Sequence, residues 1–207
     1  EPYKTNWVNS LGIDGLAVWM TQELTSQIED TGVQAGWIKL SASDDGLTEN
    51  EKILLQASAQ AGLNTHATIG VHTVKGRVAH DQLDIIEQAG YTPERFIWIH
   101  TQMEDDFNIH LEIARRGAWI EYDAIGDFRS DDMYIDWIRR LIEAGLHNHL
   151  LLSQDRGWYD PSHEQGGVFK PYTYISNIFL PKLRAAGIDE GIIHQITHIN
   201  PFHAYAR

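Results

Sequence analysis

The sequence predicts an α/β protein built around a parallel β-sheet. Short runs rich in apolar and β-branched residues alternate with longer segments of helical periodicity along the 207-residue chain. The apolar runs are nearly continuous, which is typical of strands that helices cover on both faces. No glycine-rich phosphate loop follows any of these runs, so a nucleotide-binding sheet has little support. The alternation leaves two architectures, a barrel and a doubly wound sheet.

Five of the apolar runs are predicted as strands because they combine β-branched and aromatic residues over short lengths. In chain order they are AGWIKLSA (35–42), ATIGVHT (67–73), RFIWIHT (95–101), AWIEYDAIG (118–126) and HLLLSQD (149–155). The tripeptide HNH at 147–149 precedes the last run and is predicted as a turn between a helix and a strand.

The segments between the strands carry helical periodicity and helix-boundary signals. An amphipathic helix is predicted at MTQELTSQIED, and Thr48 is predicted to cap the next helix, TENEKILLQASAQAG. The remaining predicted helices lie in AHDQLDIIEQAG, which ends at Gly90, EDDFNIHLEIARRG, DDMYIDWIRRLIEAG and GGVFKPYTYISNIFLPKLRAAG. The segment DEGIIHQITHINPFHAYA closes the chain.

Composition and charge exclude several functional classes. With 43% hydrophobic residues, the chain can bury the core of one domain. Its 16 basic and 29 acidic residues give a formal charge of −13, which disfavours binding to nucleic acid or to an anionic membrane. The absence of cysteine excludes disulfides, zinc–thiolate sites and thiol nucleophiles. Any metal ion must therefore be bound by His, Asp, Glu or Lys.

The first residues, EPYKTNWVNS, lack the basic and apolar regions of a signal peptide. No run approaches the ~18 apolar residues of a membrane span. An acidic chain without cysteine favours a cytoplasmic location. Because the chain does not begin with Met, we expect further residues upstream of Glu1.

A polar residue able to perform chemistry stands at the C-terminal end of each predicted strand. In chain order, these residues are Lys39, His72, His100, Asp123 and Asp155. In a parallel barrel, catalytic residues lie at that face and come from several different strands. A strand-end lysine among apolar neighbours is costly unless its charge is removed or paired, and His with Asp is a ligand set for a borderline metal ion. Together these residues indicate one shared site.

This ordered set resembles the phosphotriesterase-like branch of the amidohydrolase superfamily, whose members are metal-dependent (β/α)8 TIM-barrel hydrolases. The resemblance extends from GWIKLSA to NPFHAYA, about four fifths of the chain. It implies that Lys39 is the family's carboxylated lysine, which bridges two metal ions. His72 and His100 match the histidines that bind one of these ions, and Asp155 matches the aspartate that binds the other.

The resemblance also implies a cofactor and a mechanism. The cofactor is a pair of divalent metal ions, with Zn2+ favoured over Mn2+ or Co2+, bridged by Lys39 after its carboxylation by CO2. A hydroxide held between the ions attacks the substrate, and Asp155 accepts the proton and passes it to the leaving group. His72 and His100 bind as neutral imidazoles, each held in one tautomer by a neighbouring acceptor.

Two departures from the family pattern bear on the site and on the domain organisation. Gln154 stands where family members usually have a histidine, which alters the surroundings of Asp155 without removing this ligand. The family's His-x-His pair on its first strand has no counterpart at the expected place in this chain. Residues 1–207 are therefore predicted to form one domain, the C-terminal part of the barrel. This part comprises about the family's strands four to eight and the C-terminal helices, with the N-terminal strands absent.

Candidate substrate-binding residues lie in two loops at the same face. Arg156, Trp158 and Tyr159 follow the last strand in RGWYDPSHEQGG, a loop long enough to form a pocket wall. Arg156 can pair with an anionic substrate or form a surface ion pair, and the two aromatic residues can line a pocket or pack in the core. Tyr122 and Asp123 end the fourth predicted strand. There Asp123 can orient a substrate hydroxyl, orient a histidine or cap the next turn.

The other histidines are predicted to have no role in the site. His66 follows a predicted helix end and turn, which makes it a weaker ligand candidate than His72. His80 and His110 fall in helical patterns and are predicted to be solvated. The closing segment beyond the strands carries His194, His198 and His203.

The sequence supports three hypotheses about function. The leading one is a metal-dependent hydrolase of a small molecule, which uses the metal-bridging hydroxide to cleave a carboxylic ester or lactone, sugar lactones included, in preference to a phosphotriester. The alternatives are a barrel enzyme that uses Lys39 as a Schiff-base lysine and a catalytically silent barrel remnant. The resemblance is compatible with a homodimer, although no interface is identifiable in the sequence.

Overall fold

The computed structural model describes residues 2–157, 159–168 and 170–207, which form a parallel sheet of five strands. The strands are β1 (Ile38–Ser41), β2 (Ile69–His72), β3 (Phe96–Ile99), β4 (Trp119–Tyr122) and β5 (Leu150–Leu152). Each strand pairs in parallel with the next one along the chain, so all five predicted strands are confirmed. A doubly wound sheet reverses its strand order at one point, and the five described strands do not. The order is that of successive β/α units in a barrel.

Helices cover the outer face of the sheet between successive strands, and further helices precede and follow the strands. They are α1 (Pro2–Thr25), α2 (Glu49–Thr65), α3 (Gly76–Gln88), α4 (Phe107–Arg115), α5 (Asp131–Glu143), α6 (Leu180–Ala185), α7 (Glu190–His194) and α8 (Asn200–Tyr205). A π-helical turn at Ile175–Phe179 precedes α6, and a second one at Gln195–Ile199 joins α7 to α8. Within the described ranges, no helix is long and apolar enough to cross a membrane.

The first helix differs from its predicted position. The sequence pattern predicts a helix at MTQELTSQIED, whereas α1 starts upstream of it and ends at Thr25. The helix ends there because the chain turns, with the Ile28 N–H donating to Val33 O over 2.7 Å. Upstream, α1 is held against α2 by a small buried cluster of Leu16, Ala17 and Ala57. Tertiary packing, rather than local periodicity, sets the extent of this helix.

The two faces of the sheet bury different sets of side chains, because successive residues of a strand point to opposite faces. The outer face packs on the helices and forms the main core, which includes Ile69, Val71, Phe96, Trp98, Ile120 and Tyr122. The inner face contributes to a smaller cluster of Ile97, Ile99, Trp119, Leu151 and, from α8, Ala204. Lys39 pairs with Gly70 on this inner side, so ionisable and apolar side chains share the inner face.

The C-terminal segment crosses the amino ends of the strands. Asn200 donates to Leu150 O over 2.7 Å at the start of β5, and Arg207 donates to Ala35 O over 2.8 Å ahead of β1. Between these points, the segment accepts hydrogen bonds from two side chains ahead of β2 and β3, those of Thr68 and Arg95. The segment therefore closes one edge of the sheet and leaves the carboxyl ends of the strands open.

His110 is buried in the main core, which corrects the prediction that it is solvated. A carbonyl can only accept, so His110 Nε2–H donates to Glu104 O over 3.0 Å. The other ring nitrogen, Nδ1, then accepts from the Tyr122 hydroxyl over 3.0 Å. Burial lowers the pKa of His110 to about 4. The imidazole is therefore a neutral member of the core, packed against Trp98 and Trp137.

The predicted cap of α2 is confirmed and gives a first prediction. Thr48 Oγ1 accepts from the Glu51 N–H over 3.3 Å, and Glu51 Oε2 accepts from the Thr48 N–H over 2.7 Å. Thr48→Ala is expected to lower the free energy of unfolding by about 0.5–2 kcal/mol, because one amide of the first turn loses its acceptor. Denaturant unfolding measures the difference. Thr48→Ser keeps the hydroxyl and is expected to match the wild type, so an equal loss in both variants would contradict the capping role.

The low pKa of His110 predicts a pH-dependent stability. Between pH 6.5 and about 4, the unfolded state binds a proton at His110 and the folded state does not. Stability is therefore expected to fall as the pH decreases through this window, by roughly 3 kcal/mol in total. His110→Gln removes the titrating group and is expected to flatten this part of the profile. Unfolding free energies measured at intervals across the window test this, and parallel profiles for the two proteins would refute it.

Candidate active site

The carboxyl ends of the strands open into a pocket of about 1010 Å³. All five polar residues predicted at strand ends line it, namely Lys39, His72, His100, Asp123 and Asp155. Apolar side chains at its inner end include Trp37 and Tyr205, whose rings meet edge to face with centroids 5.6 Å apart. The fold thus brings together in one cavity residues that are separated by more than a hundred positions in the sequence.

Lys39 projects into the pocket from β1, and its ammonium donates to Leu40 O over 2.9 Å. Desolvation lowers the pKa of Lys39, and the carboxylates of Glu121, Asp123 and Asp155 partly oppose this shift. A lowered pKa increases the fraction of neutral amine, which is the form that reacts with CO2 and the form that attacks a carbonyl group. Lys39 is therefore suited both to carboxylation and to Schiff-base formation.

The imidazoles of His72 and His100 lie side by side, with ring centroids 4.4 Å apart and planes at 81°. The register explains this contact, because His72 pairs with Ile99 and His100 follows directly. Burial lowers the pKa of His72, and the neighbouring His100 and Lys39 lower it further. His72 is therefore neutral near pH 7, with a nitrogen lone pair that can bind a metal ion.

Asp123 holds His100 in one orientation. Its Oδ1 accepts from His100 Nδ1–H over 2.8 Å, and its Oδ2 accepts from the His100 backbone N–H over 2.8 Å. The hydrogen bond to Asp123 raises the pKa of His100. Because a carboxylate only accepts, the proton of the neutral ring sits on Nδ1 and the lone pair on Nε2. Of the three roles considered for Asp123, its geometry supports the orientation of a histidine.

His100 has a left-handed backbone with φ of 69°, which is uncommon for a residue other than glycine. The two hydrogen bonds to Asp123 stabilise this conformation. A non-glycine residue in this region costs energy and persists where its surroundings determine it, often at functional sites. The strain at the end of β3 is thus tied to the placement of the imidazole.

Gln102 completes this arrangement, and the sequence did not identify it as a site residue. Its Nε2 donates to Asp123 Oδ1 over 2.6 Å, and its Oε1 accepts from the Asp123 N–H over 3.1 Å. The side chain is buried, so these bonds are shielded from water. Its only sequence signal is its position two residues after His100, where a polar residue usually belongs to a turn.

Glu121 is a second residue that the sequence analysis missed. It lines the pocket from the inner face of β4, two residues before Asp123. Burial and the nearby charge of Asp123 raise the pKa of Glu121 to about 8. The carboxyl group is therefore largely protonated at neutral pH and can donate a hydrogen bond. The alternation of inner and outer positions in WIEYD was the signal that could have identified it.

Asp155 lines the pocket just beyond β5 with a left-handed φ of 40°. Its charge raises the pKa of both Lys39 and His100, which line the same pocket. The neighbouring Gln154 donates to Tyr172 O over 2.6 Å and accepts from the Ile175 N–H over 3.2 Å. Gln154 thus attaches residues 172–175 to the end of β5.

Arg156 lies in the pocket wall, and its side chain is only 5% exposed. Its Nη1 pairs with Asp127 Oδ2 over 3.3 Å, and its Nη2 donates to Gly126 O over 3.2 Å. Lys170 also contacts Asp127. Of the two roles considered for Arg156, the structure supports the ion pair, although the pair lies in the wall and not on the surface. Its charge is already engaged by the protein.

Two further predicted substrate contacts, Tyr122 and Tyr159, do not line the pocket in the described part of the chain. Tyr122 is buried on the outer face of β4, where its hydroxyl donates to His110, because it alternates with the inward-facing Glu121. Tyr159 is 71% exposed, and its ring lies over Gly166. The structure thus places neither side chain in the pocket lining, and substrate contact by either one stays a prediction. Trp158 lies outside the described residues.

The donor set of the pocket fits a divalent metal ion in its chemistry. In the described residues, no three His, Asp or Glu side chains already converge on one point with metal-site geometry. The pocket nonetheless holds two adjacent imidazoles, one of them fixed by a buried carboxylate, together with Asp155 and Lys39. Imidazole and carboxylate are the usual nitrogen and oxygen donors for zinc. Lys39 becomes an oxygen donor only after carboxylation.

Sequence comparison assigns the chain to a family. The sequence model of the Phosphotriesterase family matches residues 5–205. The chain belongs to the phosphotriesterase family. The phosphotriesterase homology protein of Escherichia coli is 26% identical over 197 residues, which cover 94% of this chain and 67% of that protein. The N-acetyltaurine hydrolase of Dictyostelium discoideum is 29% identical over 200 residues, which cover 88% of this chain and 54% of that protein.

Solved structures of phosphotriesterase-like proteins share the fold. The E. coli phosphotriesterase homology protein, with phosphate in its active site, matches with a TM-score of 0.85 and 26% identity over 94% of this chain and 67% of that one. A protein engineered for organophosphate hydrolysis from a weak promiscuous lactonase template matches with a TM-score of 0.85 and 29% identity over 97% and 67% of the two chains. The predicted TIM-barrel fold is confirmed. The chain spans about half to two thirds of the length of the curated relatives named above.

The outward position of Tyr122 gives a prediction that separates stability from substrate contact. Tyr122→Phe is expected to lower the free energy of unfolding by about 1–3 kcal/mol, because Nδ1 of His110 loses its buried donor. Hydrolysis by the complete gene product is expected to keep its kcat and KM. Denaturant unfolding and steady-state kinetics measure the two effects. A raised KM with unchanged stability would instead make Tyr122 a substrate contact.

Proposed function

We propose that this chain forms the greater part of a metal-dependent hydrolase that cleaves a carboxylic ester, preferably a lactone, or a phosphotriester. Family membership supports the proposal, together with relatives named as an N-acetyltaurine hydrolase and as a derivative of a lactonase. The names of these proteins cover amide, ester and phosphoester bonds. In the hydrolysis of each of these bonds, water attacks a carbon or phosphorus atom that bears a polarised oxygen.

The observation that carries the proposal is the His100–Asp123–Gln102 arrangement beside His72. Histidines that bind metal ions almost always donate their second ring N–H to a carboxylate or a carbonyl group, which fixes the tautomer and raises ligand basicity. Here the carboxylate is itself buried and held by Gln102. A histidine with only a packing role does not require a carboxylate to hold its ring and a second side chain to hold that carboxylate.

Within this proposal, His72, His100, carboxylated Lys39 and Asp155 would hold divalent ions, with Zn2+ as the favoured species. Bound ions of this kind supply Lewis acidity at the carbonyl or phosphoryl oxygen and lower the pKa of water. In the family that the sequence resembles, an His-x-His pair supplies further ligands, and no such pair stands at the expected place in these 207 residues. His100 would bind through Nε2, since Nδ1–H is engaged by Asp123.

Asp155 would move the proton during hydrolysis. The oxygen of the attacking water forms a bond to the carbonyl carbon, and a carboxylate oxygen of Asp155 accepts the water proton. The ester C–O bond then breaks, and the same carboxyl group returns the proton to the leaving alkoxide. The place of Asp155 in the lining of the same pocket as Lys39 and His100 supports this role, because a proton carrier must share a site with the groups that hold the reacting atoms.

The pocket wall favours an uncharged substrate. Arg156 is engaged by Asp127, so it offers little to a substrate carboxylate or phosphate. Apolar side chains contribute to the pocket lining, among them Val74, Met103, Phe128 and Val168. Lactones and phosphotriesters are both uncharged and both fit such a wall. The preference for a lactone rests on the family resemblance.

The lowered pKa of Lys39 favours one further candidate, a Schiff-base enzyme that uses no metal ion. Borohydride reduction in the presence of a carbonyl substrate distinguishes the two reactions. A mass adduct on Lys39 would support the Schiff base, whereas the hydrolase hypothesis predicts none. A silent remnant would show neither an adduct nor metal binding in the complete gene product.

Lys39→Ala is expected to abolish both metal retention and hydrolysis in the complete gene product, because the bridging ligand is lost. Elemental analysis of the purified protein and a panel of lactones, aryl esters and phosphotriesters measure the two properties. Lys75→Ala is the matched control, since Lys75 is an exposed lysine outside the pocket lining. Hydrolysis at the wild-type rate by the Lys39 variant would overturn the proposed function.

A further inference from the structure

A pair of histidines lies on the surface of the C-terminal segment and does not line the pocket. His194 ends α7 and His198 lies in the π-helical turn that follows it. Their rings are stacked, with centroids 4.7 Å apart and an angle of 26° between the planes. Both side chains are exposed to solvent. The mechanism proposed above does not use either of them.

The fold fixes this pair on one side of the helix. Asp189 caps α7 by accepting from the Gly191 N–H over 2.7 Å, which sets the helix start. Ile193 and Ile196 turn into the main core and leave the opposite side to solvent. Residues four apart on a helix lie on the same face. The two imidazoles are therefore neighbours by backbone geometry and not by chance rotamers.

Thr197 fixes the tautomer of His198. The threonine hydroxyl has one proton, and it donates this proton to Ile193 O over 2.7 Å. The same oxygen lies 2.7 Å from His198 Nδ1, so it must accept from Nδ1–H. The lone pair of the neutral His198 ring is consequently on Nε2. A second-ring hydrogen bond of this kind is the usual way in which a metal-binding histidine is oriented.

We propose that His194 and His198 form a bidentate surface site for a divalent transition-metal ion of the Cu2+, Ni2+ or Zn2+ class. Two imidazoles four residues apart on one helix face are a known ligand pair for zinc. With ring centroids 4.7 Å apart, one nitrogen of each ring can approach the same ion to about 2.0–2.1 Å after small side-chain rotations. Affinity is expected to be highest for Cu2+, as imidazole sites follow the Irving–Williams order.

The site is open on its outer side. In the described ranges, no third His, Cys, Asp or Glu joins the pair as a ligand, so water or an external ligand fills the remaining positions. The formal charge of −13 favours the accumulation of cations near the protein surface. A two-histidine site of this kind would bind its ion exchangeably, in contrast to a closed structural site.

The test uses Zn2+ alone as the probe, added to the purified complete gene product and followed by the ring NMR signals of His194 and His198. The signals of His194 and His198 are expected to shift together, at one Zn2+ concentration. Loss of either ring turns a chelate into a single ligand, so His194→Ala or His198→Ala is expected to weaken Zn2+ binding at the other ring on the order of 100-fold. Because the readout is specific to these rings, binding in the pocket does not affect it.

Two further variants sharpen the test. Thr197→Val keeps the shape of the side chain but removes the acceptor, and it is expected to weaken binding about 10-fold or more. His203→Ala removes an exposed histidine of the same segment and is expected to change nothing. Separate, weak titrations of His194 and His198, or unchanged affinity after His198→Ala, would overturn the proposal. Neither outcome would bear on the hydrolase hypothesis, because the pocket residues remain intact.

Discussion

In-register pairing of the parallel strands is the constraint on which the pocket depends. Ser41 pairs with His72, and His72 pairs with Ile99, so neighbouring strands end at nearly the same level. Residues that follow the strands therefore emerge at one edge, and inner-face positions converge on one cavity. A register slip of one residue would turn Lys39 and His72 outward among the helices, since side chains alternate between faces. The placement of the polar side chains in the pocket is thus a consequence of backbone hydrogen bonding between the strands.

Opposite physical effects act on two imidazoles that are in contact. Burial and positive neighbours lower the pKa of His72, whereas the hydrogen bond that His100 donates to Asp123 raises the pKa of His100. The adjacent rings therefore differ in proton affinity although they belong to the same strand-end pattern. Glu121 adds a third behaviour, because burial beside Asp123 keeps its carboxyl group largely protonated at neutral pH. Neighbouring ionisable groups in the pocket therefore have different pKa values, which limits the number of charges that they carry at the same pH.

The C-terminal segment has a structural role on one side and an exposed face on the other. Asn200 and Arg207 bind backbone carbonyls at the amino ends of β5 and ahead of β1, so the segment closes the edge opposite the pocket. Ile193 and Ile196 anchor the same segment in the core. This anchoring fixes the backbone that carries His194 and His198. A rigid support of this kind favours a two-residue chelate, because the backbone that carries the two ligands does not have to be ordered on binding.

The sequence by itself determined the positions of the strands along the chain and the polar residues that accompany them. Lys39, His72, His100, Asp123 and Asp155 were identifiable because each lies in or just after an apolar run and parallel strands share one functional edge. Only the tertiary structure decided their partners. The contacts of Asp123 with Gln102 and of Arg156 with Asp127 join residues 21 and 29 positions apart. Local periodicity carries no information about such pairs, nor about the burial of His110, which depends on the aromatic side chains that other elements bring to it.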